Sequence, residues 1–483
     1  MNEPSGDIFM YYRLNEPWAF RGWKKLPYAL RAEDGEWKYD KPKFFDKEIF
    51  LLLLSCNGET DLDLSGIREA DRKILEELTQ EGILQKSQTK LPPLHPAQRY
   101  HVYPSRCLQS VHWSITGKCN FQCRHCLVSA PEARHPQLPL EDCLHIIDSL
   151  AECGVLQVEI TGGEPLLRDD FEQIVAALSG YHIEISVLFT NASLLTPAVL
   201  DMLKRYHQNP VFQLSFDGLG HHDWLRGVPG AEKEADAAFR LLRERGFSAT
   251  AAMCIHKENR HCLRDTVQYL SDLNVLSLRV NAPQVMGVWK QYADQYALSE
   301  KEVWSTYRTY IPRYFADGMP IDLELDGYFR CKKGSVEYSV PYYRSYEPDM
   351  DWHKAYYCES VHFNAYISPE ARLVPCMGFS DHPVLRDKFP DILHKPLSEV
   401  TRKGFYYDLA GTRISDLLEQ DPECKACEHL PHCGGGCMAE SITDDGKMLA
   451  SATRCCFFHK HVGRDAVSAV ADQAIRAMQK NDK

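Results

Sequence analysis

The sequence contains no long hydrophobic run. Its longest uninterrupted apolar stretch, residues 49–54, is far shorter than the roughly 20 apolar residues that cross a bilayer as a helix. The first nine residues, MNEPSGDIF, are acidic and have no apolar segment, which is unlike a secretory signal. We therefore predict a cytoplasmic protein with no membrane partner.

The chain also lacks an excess of basic residues. It has 55 Lys and Arg against 67 Asp and Glu, and its formal net charge is −12. Binding to nucleic acid requires a surplus of positive charge on at least one face, because the phosphates must be neutralised. We therefore expect no nucleic-acid partner.

Cysteine, in contrast, is abundant. The 483 residues include 18 cysteines, three of them within residues 119–126 and four within residues 424–437. The cytosol keeps thiols reduced, so cysteines in such a chain are more often metal ligands or catalytic groups than disulfide partners. The clustering therefore predicts metal sites.

Short apolar segments alternate with amphipathic ones between residues 105 and 310. The predicted strands cover residues 111–116, 157–161, 184–189, 212–216, 249–255 and 276–280. The predicted helices cover residues 140–153, 171–179, 197–206, 232–245 and 264–273. Six strand–helix units in succession predict an α/β fold, a partial (β/α)6 TIM-like barrel whose active-site loops follow the carboxyl ends of the strands.

Two further domains are predicted at the ends of the chain. Residues 1–104 form a winged-helix-like N-terminal domain with a proline-rich linker, including a hairpin turn at Asp34 and Gly35 and a helix over 47–54. Residues 311–483 form a loop-rich domain in which bound metal replaces an extensive core, closed by a helix over 467–480.

The spacing Cys119-x3-Cys123-x2-Cys126 falls just after the first predicted strand. Three thiolates on one short loop can bind three irons of a [4Fe–4S] cluster and leave the fourth iron open to a small molecule. The alternatives are three structural cysteines or part of a zinc site, to which His125 could add a ligand. Zinc usually takes four ligands with paired CxxC spacing.

The segment CNFQCRHC resembles the CxxxCxΦC signature of the radical SAM superfamily, with His125 at the aromatic position. TGGEP, which follows the second predicted strand, resembles that family's GGEP motif. The resemblance implies that the edge formed by Gly162, Gly163 and Glu164 binds the amino group of S-adenosylmethionine. Two glycines let backbone carbonyls approach the ligand, and Glu164 can face an ammonium group.

Two more strand ends resemble the family. Asn191 ends the third strand, and Ser215 ends the fourth, in a run that continues to Arg226. The resemblance makes Ser215 and Arg226 candidates for binding the methionine carboxylate, while a strand-end cap or a surface salt bridge is the alternative. It implies cleavage of S-adenosylmethionine to a 5′-deoxyadenosyl radical that takes hydrogen from the substrate, with a reductant such as flavodoxin or ferredoxin.

The second cysteine set resembles the SPASM domain, which holds two auxiliary [4Fe–4S] clusters. By resemblance, the first cluster would be held by Cys358, Cys376 and Cys437, with Cys331 or an open site as the fourth position. The second would be held by Cys424, Cys427, Cys433 and Cys455, with the adjacent Cys456 as the alternative to Cys455. The family pattern has glycine five residues before the second cysteine, where this chain has Ala371. A zinc ribbon is the other interpretation.

Residues 50–65 and the predicted helix that follows them, ending at Leu84, resemble the PqqD-like recognition element of peptide-modifying enzymes. That element binds a leader peptide as an added β-strand. The alternative is a purely structural winged-helix appendage.

Together the three resemblances imply a maturase of ribosomally made precursor peptides, whose partner carries a leader sequence. We expect thioether bonds of the sactipeptide or ranthipeptide type, because an auxiliary cluster with an open iron could bind a substrate thiol. The alternatives are carbon–carbon or carbon–oxygen crosslinking, epimerisation, a sulfatase-maturating enzyme that forms formylglycine, and an iron–sulfur electron carrier.

Overall fold

The structure is a computed structural model. It describes residues 9–23, 26–33, 36–37, 43–63, 66–103, 110–127, 130, 135–346, 350–358, 360–362, 364–443 and 445–481. Over these ranges, no helix combines the length and the hydropathy that a membrane span requires. The predicted turn at Asp34 and Gly35 lies outside them. The helix predicted to end at Leu84 is shorter, because it covers Glu69–Gln80 and Leu84 begins a strand.

The N-terminal region forms a small α/β unit with its own apolar core. Its elements are β1 (Tyr11–Leu14), β2 (Trp18–Trp23), β3 (Leu26–Glu33), β4 (Glu36–Trp37), β5 (Lys43–Phe44), α1 (Lys47–Leu54), β6 (Asn57–Asp61), α2 (Glu69–Gln80), β7 (Leu84–Ser87) and β8 (His101–Tyr103). β1 lies between β6 and β7, while β2 and β3 form an antiparallel hairpin that β4, β5 and β8 extend. α1 has the predicted bounds, because Asp46 caps it by accepting from the Ile49 backbone N–H at 2.9 Å.

A long twisted sheet follows, covered by helices. Its elements from residue 110 to residue 325 are β9 (Ser110–Ser114), α3 (Leu140–Glu152), β10 (Gln157–Thr161), α4 (Phe171–Gly180), β11 (Glu184–Thr190), α5 (Pro197–Arg205), β12 (Val211–Ser215), α6 (His222–Arg226), α7 (Ala231–Arg245), β13 (Ala249–Cys254), α8 (Leu263–Asp272), β14 (Ser277–Asn281), α9 (Ala293–Tyr296), α10 (Glu300–Ala316) and β15 (Asp322–Leu325). The α/β fold with a partial, barrel-like parallel sheet is confirmed, and the six predicted strands are present within two residues of their predicted ends.

The sheet extends further than the sequence pattern predicted. β15 pairs parallel to β14, so the parallel sheet continues past residue 310, which lies inside α10. The C-terminal region adds strands at both edges of the sheet. Its elements are β16 (Phe329–Cys331), β17 (Tyr338–Ser339), β18 (Asn364–Ile367), β19 (Leu373–Val374), α11 (Leu397–Val400), α12 (Phe405–Ala410), α13 (Ile414–Gln420), α14 (Pro422–Lys425), α15 (Leu430–Cys433), α16 (Met438–Ser441), α17 (Arg454–His461) and α18 (Gly463–Asn481).

β18 lies parallel to β9 in the same sheet, although some 250 residues separate the two strands in sequence. The strand order is therefore β17-β16-β15-β14-β13-β12-β11-β10-β9-β18-β19. The carboxyl ends of β9 to β13 meet at one edge, as parallel strands must. The loops that leave this edge carry the cysteines and the polar residues identified in the sequence.

Candidate active site

The loop that carries Cys119, Cys123 and Cys126 is held on one side by the end of β10. The backbone N–H of Gly163 donates to the Thr116 carbonyl at 2.8 Å, and that of Glu164 donates to the Lys118 carbonyl at 2.8 Å. A Cβ at position 163 would stand 2.1 Å from the Lys118 oxygen, so only glycine fits there. The glycines thus bring the β10 end against the cysteine loop.

The opposite side of the loop rests on α6. The Gln122 N–H donates to the Arg226 carbonyl at 3.2 Å, and the Arg124 N–H donates to the Leu225 carbonyl at 2.9 Å. The Arg124 guanidinium lies 4.8 Å from the Trp224 ring centroid and also donates to the Trp224 carbonyl. The cysteine loop is therefore fixed between two segments that are distant from each other in sequence.

The three cysteines and His125 line one cavity of about 290 Å³. The Cys119 Sγ accepts from the Phe121 N–H at 3.4 Å, and the Cys126 Sγ accepts from the Ala130 N–H at 3.3 Å. Three thiols that face one cavity, two of them accepting backbone N–H bonds, suit a cubane cluster with one iron open to that cavity. The donor set therefore fits the predicted cluster.

His125 lines the same cavity, and its Nδ1 is buried with no hydrogen-bond partner among the residues that the structure describes. A ring nitrogen of His125, an oxygen of Asp217 and the Cys254 Sγ all lie within 4.8 Å of one another. Burial lowers the pKa of His125 to about 3. The imidazole is therefore neutral at physiological pH.

Glu164 occupies a different position from the one expected. Its carboxylate is buried and accepts from the Asn191 N–H at 2.7 Å, the Thr190 hydroxyl at 2.8 Å and the Leu166 N–H at 3.0 Å. Gly162 and Gly163 line the cavity, but Glu164 is not among its lining residues. Burial raises the pKa of Glu164 to about 7, partly offset by these hydrogen bonds. In this structure the side chain ties the end of β11 to the glycine turn.

Asn191 and Ser215 both line the cavity, at the ends of β11 and β12. The Asn191 Nδ2 donates to the Asn120 Oδ1 at 2.9 Å and lies 3.9 Å from the Cys119 Sγ. The Asn191 Oδ1 accepts from the hydroxyl of Ser193 at 2.7 Å. Asn191 is thus oriented by the cysteine loop on one side and by its own loop on the other.

Arg226 also lines the cavity, and it is paired inside the protein. Its Nε donates to the Asp217 Oδ2 at 2.7 Å, and its Nη1 lies 3.9 Å from the Cys123 Sγ. Burial alone would raise the pKa of Asp217, but Arg226 and His222 outweigh it and hold that pKa well below its usual range. The Arg226–Asp217 pair is therefore ionised and buried, unlike the surface salt bridge considered as an alternative.

Several cavity residues were missed by the sequence reasoning: Phe121, Phe189, Thr190, Gln213 and Met377. Gln213 was within reach, because strand alternation places it on the same face as Ser215. Met377 was not, because it reaches the cavity only through the C-terminal region. No local sequence pattern predicts that contact.

A second, larger cavity of about 590 Å³ lies between the parallel sheet and the C-terminal region. Its wall mixes apolar side chains with charged ones, among them Glu300, Glu440 and Arg454. Leu127 and Met377 line both cavities. The two cavities therefore adjoin at these two apolar side chains.

The first proposed auxiliary set, Cys358, Cys376 and Cys437, comes together in the C-terminal region. Burial raises the pKa of Cys376, and the nearby thiols of Cys437 and Cys358 raise it further. Cys331 instead lies in β16, where its Sγ donates to the Ser335 carbonyl at 3.2 Å. Ala371 adopts a φ of +57°, so the turn for which the family uses glycine is made here by alanine.

The second proposed set also forms a group. Burial and Asp421 raise the pKa of Cys424, and Cys433 and Cys456 add to that rise. The Sγ atoms of Cys433 and Cys455 are 3.7 Å apart. Cys456 lies close to this set as well, so both adjacent thiols border it. Thiols in groups of three and four have the donor chemistry of further iron–sulfur sites.

Comparison with known proteins agrees with the geometry of the small cavity. Residues 113–270 match the model of the Radical SAM superfamily. The chain is 26% identical over 331 residues to the antilisterial bacteriocin subtilosin biosynthesis protein AlbA of Bacillus subtilis, covering 67% of this chain and 66% of AlbA. It is 24% identical over 370 residues to an AdoMet-dependent heme synthase of Methanosarcina barkeri, covering 72% of this chain and 96% of that protein.

Among solved structures, Streptococcus suis SuiB bound to the precursor peptide SuiA superposes with a TM-score of 0.62 at 15% identity. The match covers 92% of this chain and 99% of SuiB. The overall fold is thus shared with that protein, including most of the regions that flank the parallel sheet.

Proposed function

We propose that this chain, which carries a radical SAM domain, uses a [4Fe–4S] cluster and S-adenosylmethionine to modify a ribosomally made precursor peptide by forming thioether crosslinks. The observation that carries the proposal is the pair of adjoining cavities. The smaller is lined by the three cysteines, and the larger opens beside it between the sheet and the C-terminal region.

The large cavity has the size and the wall of a peptide site. Its volume of about 590 Å³ lies in the range of ligand cavities, and its mixed lining suits a segment with both amide groups and apolar side chains. A substrate side chain reaches the small cavity by passing Leu127 and Met377. Peptide and cofactor are thereby kept in separate chambers that meet at one place.

The bound cofactors would supply a 5′-deoxyadenosyl radical. The residues of this chain would bind and shield them. Cys119, Cys123 and Cys126 would hold the cluster, and Asn191, Ser215 and Arg226 would orient polar groups of S-adenosylmethionine. Phe121 and Phe189 would exclude water from the cavity wall.

We prefer thioether formation because the first auxiliary set, Cys358, Cys376 and Cys437, lies beside the large cavity. Met377 and Gly378 line the large cavity directly after Cys376, and a Cβ at position 378 would stand 3.7 Å from the Cys376 Sγ. This set offers three thiols where a cubane cluster takes four ligands, which leaves a place for a thiol of the substrate. AlbA, whose name assigns it to bacteriocin biosynthesis, is consistent with a peptide product.

Carbon–carbon or carbon–oxygen crosslinking, epimerisation and formylglycine formation are the alternative reactions. They would use the same cavities and differ in the substrate atom that is attacked.

Anaerobically reconstituted protein should produce 5′-deoxyadenosine from S-adenosylmethionine, and a Cys119→Ala/Cys123→Ala/Cys126→Ala variant should not. Co-expression with a candidate precursor peptide, sought among the short reading frames beside the gene, should then give a product lighter by two hydrogens per crosslink. An unchanged mass with altered stereochemistry would indicate epimerisation instead.

We also propose that the N-terminal unit binds the leader of that peptide. Phe44 on β5 and Leu51 on α1 are more than half exposed, β5 pairs with β3, and the Phe44 and Tyr28 rings are in contact. The Arg21 Nη2 donates to the Gly154 carbonyl at 3.0 Å, which ties this unit to the turn before β10. Exposed apolar side chains beside a short strand suit contact with an added peptide strand.

Leu51→Glu should weaken binding of the fluorescently labelled precursor peptide by at least about tenfold, because a charge would lie in an apolar contact. Leu276→Glu is the matched control, since Leu276 is 48% exposed and lies between β13 and β14 on another domain. Equal affinity of both variants for the peptide would reject the N-terminal unit as the leader site.

A further inference from the structure

Asp217 lies in the run between Ser215 and Arg226, and its carboxylate contacts three residues on neighbouring segments. It follows β12, and its side chain is fully buried. The Oδ1 accepts from the Cys254 N–H at 3.0 Å, at the end of β13. The Oδ2 accepts from the Arg226 Nε at 2.7 Å and lies 3.0 Å from the His222 Nδ1. One carboxylate thus joins β12, β13 and α6.

The same residue is fixed through its backbone. The Asn259 Nδ2 donates to the Asp217 carbonyl at 2.8 Å, and the Asp217 N–H lies 3.0 Å from the His222 Nδ1. Because main chain and side chain are both held, the carboxylate has one available orientation. Its position therefore determines where the Arg226 guanidinium lies.

Arg226 in turn faces the cysteine loop at two levels. Its carbonyl accepts the Gln122 N–H at 3.2 Å, and its Nη1 lies 3.9 Å from the Cys123 Sγ. Gly227 has a φ of +69°, and a Cβ there would stand 2.3 Å from the Gln122 carbonyl oxygen. The segment of Arg226 and Gly227 therefore packs directly against the cysteine loop. A displacement of Arg226 would change the surroundings of Cys123.

We propose that Asp217 is a positioning residue, which holds the Arg226 guanidinium against Cys123 and in the wall of the cofactor cavity. This inference rests on the proposed function in requiring a cluster on Cys119, Cys123 and Cys126. Asp217 itself does not line the cavity, so it acts through Arg226. Without its partner, the guanidinium would be a buried unpaired charge and would move toward water.

If Asp217 is a positioning residue, its effect on binding of S-adenosylmethionine requires Arg226. A carboxylate that only stabilises the fold would not depend on Arg226 in this way. Asp217→Asn, Arg226→Gln and the double variant form a cycle that measures this dependence. Asp223→Asn is the matched control. Asp223 lies on α6, the helix that carries Arg226, but its carboxylate accepts from the Gly230 and Glu232 N–H groups instead of from Arg226. Iron content and far-ultraviolet circular dichroism report whether each holoprotein is intact.

The measurements are the dissociation constant for S-adenosylmethionine, by calorimetry on the oxidised holoprotein, and the electron paramagnetic resonance spectrum of the reduced cluster. Asp217→Asn should weaken binding by about tenfold, as should Arg226→Gln, since each loses the oriented guanidinium. The double variant should be no weaker than Arg226→Gln alone. The resonance spectrum should change in Asp217→Asn and remain that of the parent in Asp223→Asn.

A parent-like affinity and spectrum in Asp217→Asn would overturn the proposal, and so would full additivity in the double variant. If Asp217→Asn loses its iron, Arg226→Gln provides the test. Loss of a charged N–H near the Cys123 sulfur should make the reduction potential of the cluster more negative, and an unchanged potential would overturn the proposal. A parent that binds no cluster would overturn the proposed function as well, whereas failure of the variants alone leaves that function standing.

Discussion

Gly163 approaches Lys118 so closely that a Cβ on residue 163 would lie 2.1 Å from the Lys118 carbonyl oxygen. The neighbouring N–H of Glu164 donates to that same oxygen at 2.8 Å. The contact joins the turn after β10 to the residue directly before Cys119. The geometry of the cysteine loop therefore depends on the absence of a side chain at position 163.

Gly163→Ala should displace the cysteine loop. We expect the iron content of the reconstituted protein to fall by about one cluster per chain, because the three thiols would no longer face one cavity. Gly180→Ala is the control, since nothing lies within 4 Å of a Cβ at that helix end. It should retain all its iron and gain up to about 1 kcal/mol of stability from helix propensity. Full iron content in Gly163→Ala would contradict the role given to this contact.

The adjacent thiols Cys455 and Cys456 give a second prediction. Cys455→Ser should lower the iron content by up to about four atoms per chain, because its Sγ lies 3.7 Å from that of Cys433 and we propose it as a cluster ligand. Cys456→Ser is the matched control and should retain its iron. The opposite result, measured by iron analysis and Mössbauer spectroscopy, would transfer the ligand role to Cys456.

His135 gives a prediction for pH dependence. Its ring lies 3.0 Å from Asp381 and 3.3 Å from Glu370, and Arg386 also contacts Glu370. The hydrogen bonds to Asp381 and Glu370 raise the pKa of His135 to about 9. The charged ring therefore contributes about 3 kcal/mol, fully present below pH 6.5 and lost as the pH rises through 9.

His135→Gln should remove this contribution. The melting temperature of the parent should exceed that of the variant by a few degrees at pH 6, and the gap should close by about pH 10. His145→Gln, which changes an exposed histidine on α3, should follow the parent at every pH. A gap between parent and His135→Gln that is constant with pH would show that the ring acts by packing alone.

Met377 gives a prediction for substrate access. Because it lines both cavities, Met377→Trp should narrow the passage between them. We expect at least a tenfold loss of peptide modification, about the size of a steric discrimination in an apolar pocket. Formation of 5′-deoxyadenosine without peptide should stay within about twofold of the parent. Equal loss of both activities would instead indicate damage to the cofactor site.

The six central strands and the helices between them follow from local patterns. Strands such as β10 and helices such as α4 begin and end within about two residues of prediction, because turn residues and caps are local signals. The thiols and strand-end polar residues of the small cavity were equally readable. Their chemistry is a property of residue type, and the parallel order brings all strand ends to one edge.

The C-terminal contacts could not be read in the same way. β18 pairs with β9 across about 250 residues, and Met377 enters the cavity only because that pairing exists. Such contacts depend on which segments, distant in sequence, bury their apolar surfaces against each other. The pattern of residues within one segment does not show which partner it will pack against.

The sequence by itself therefore determined the chemical elements of this protein: the cysteine sets, the glycine turn and the strand–helix succession that aligns them. Only the tertiary structure decided how those elements are used. It turned Glu164 toward the β11 end, paired Arg226 with Asp217, and placed a large cavity beside the small one. Each of these arrangements needs partner residues that are distant in sequence. These residues come into contact only when the chain folds.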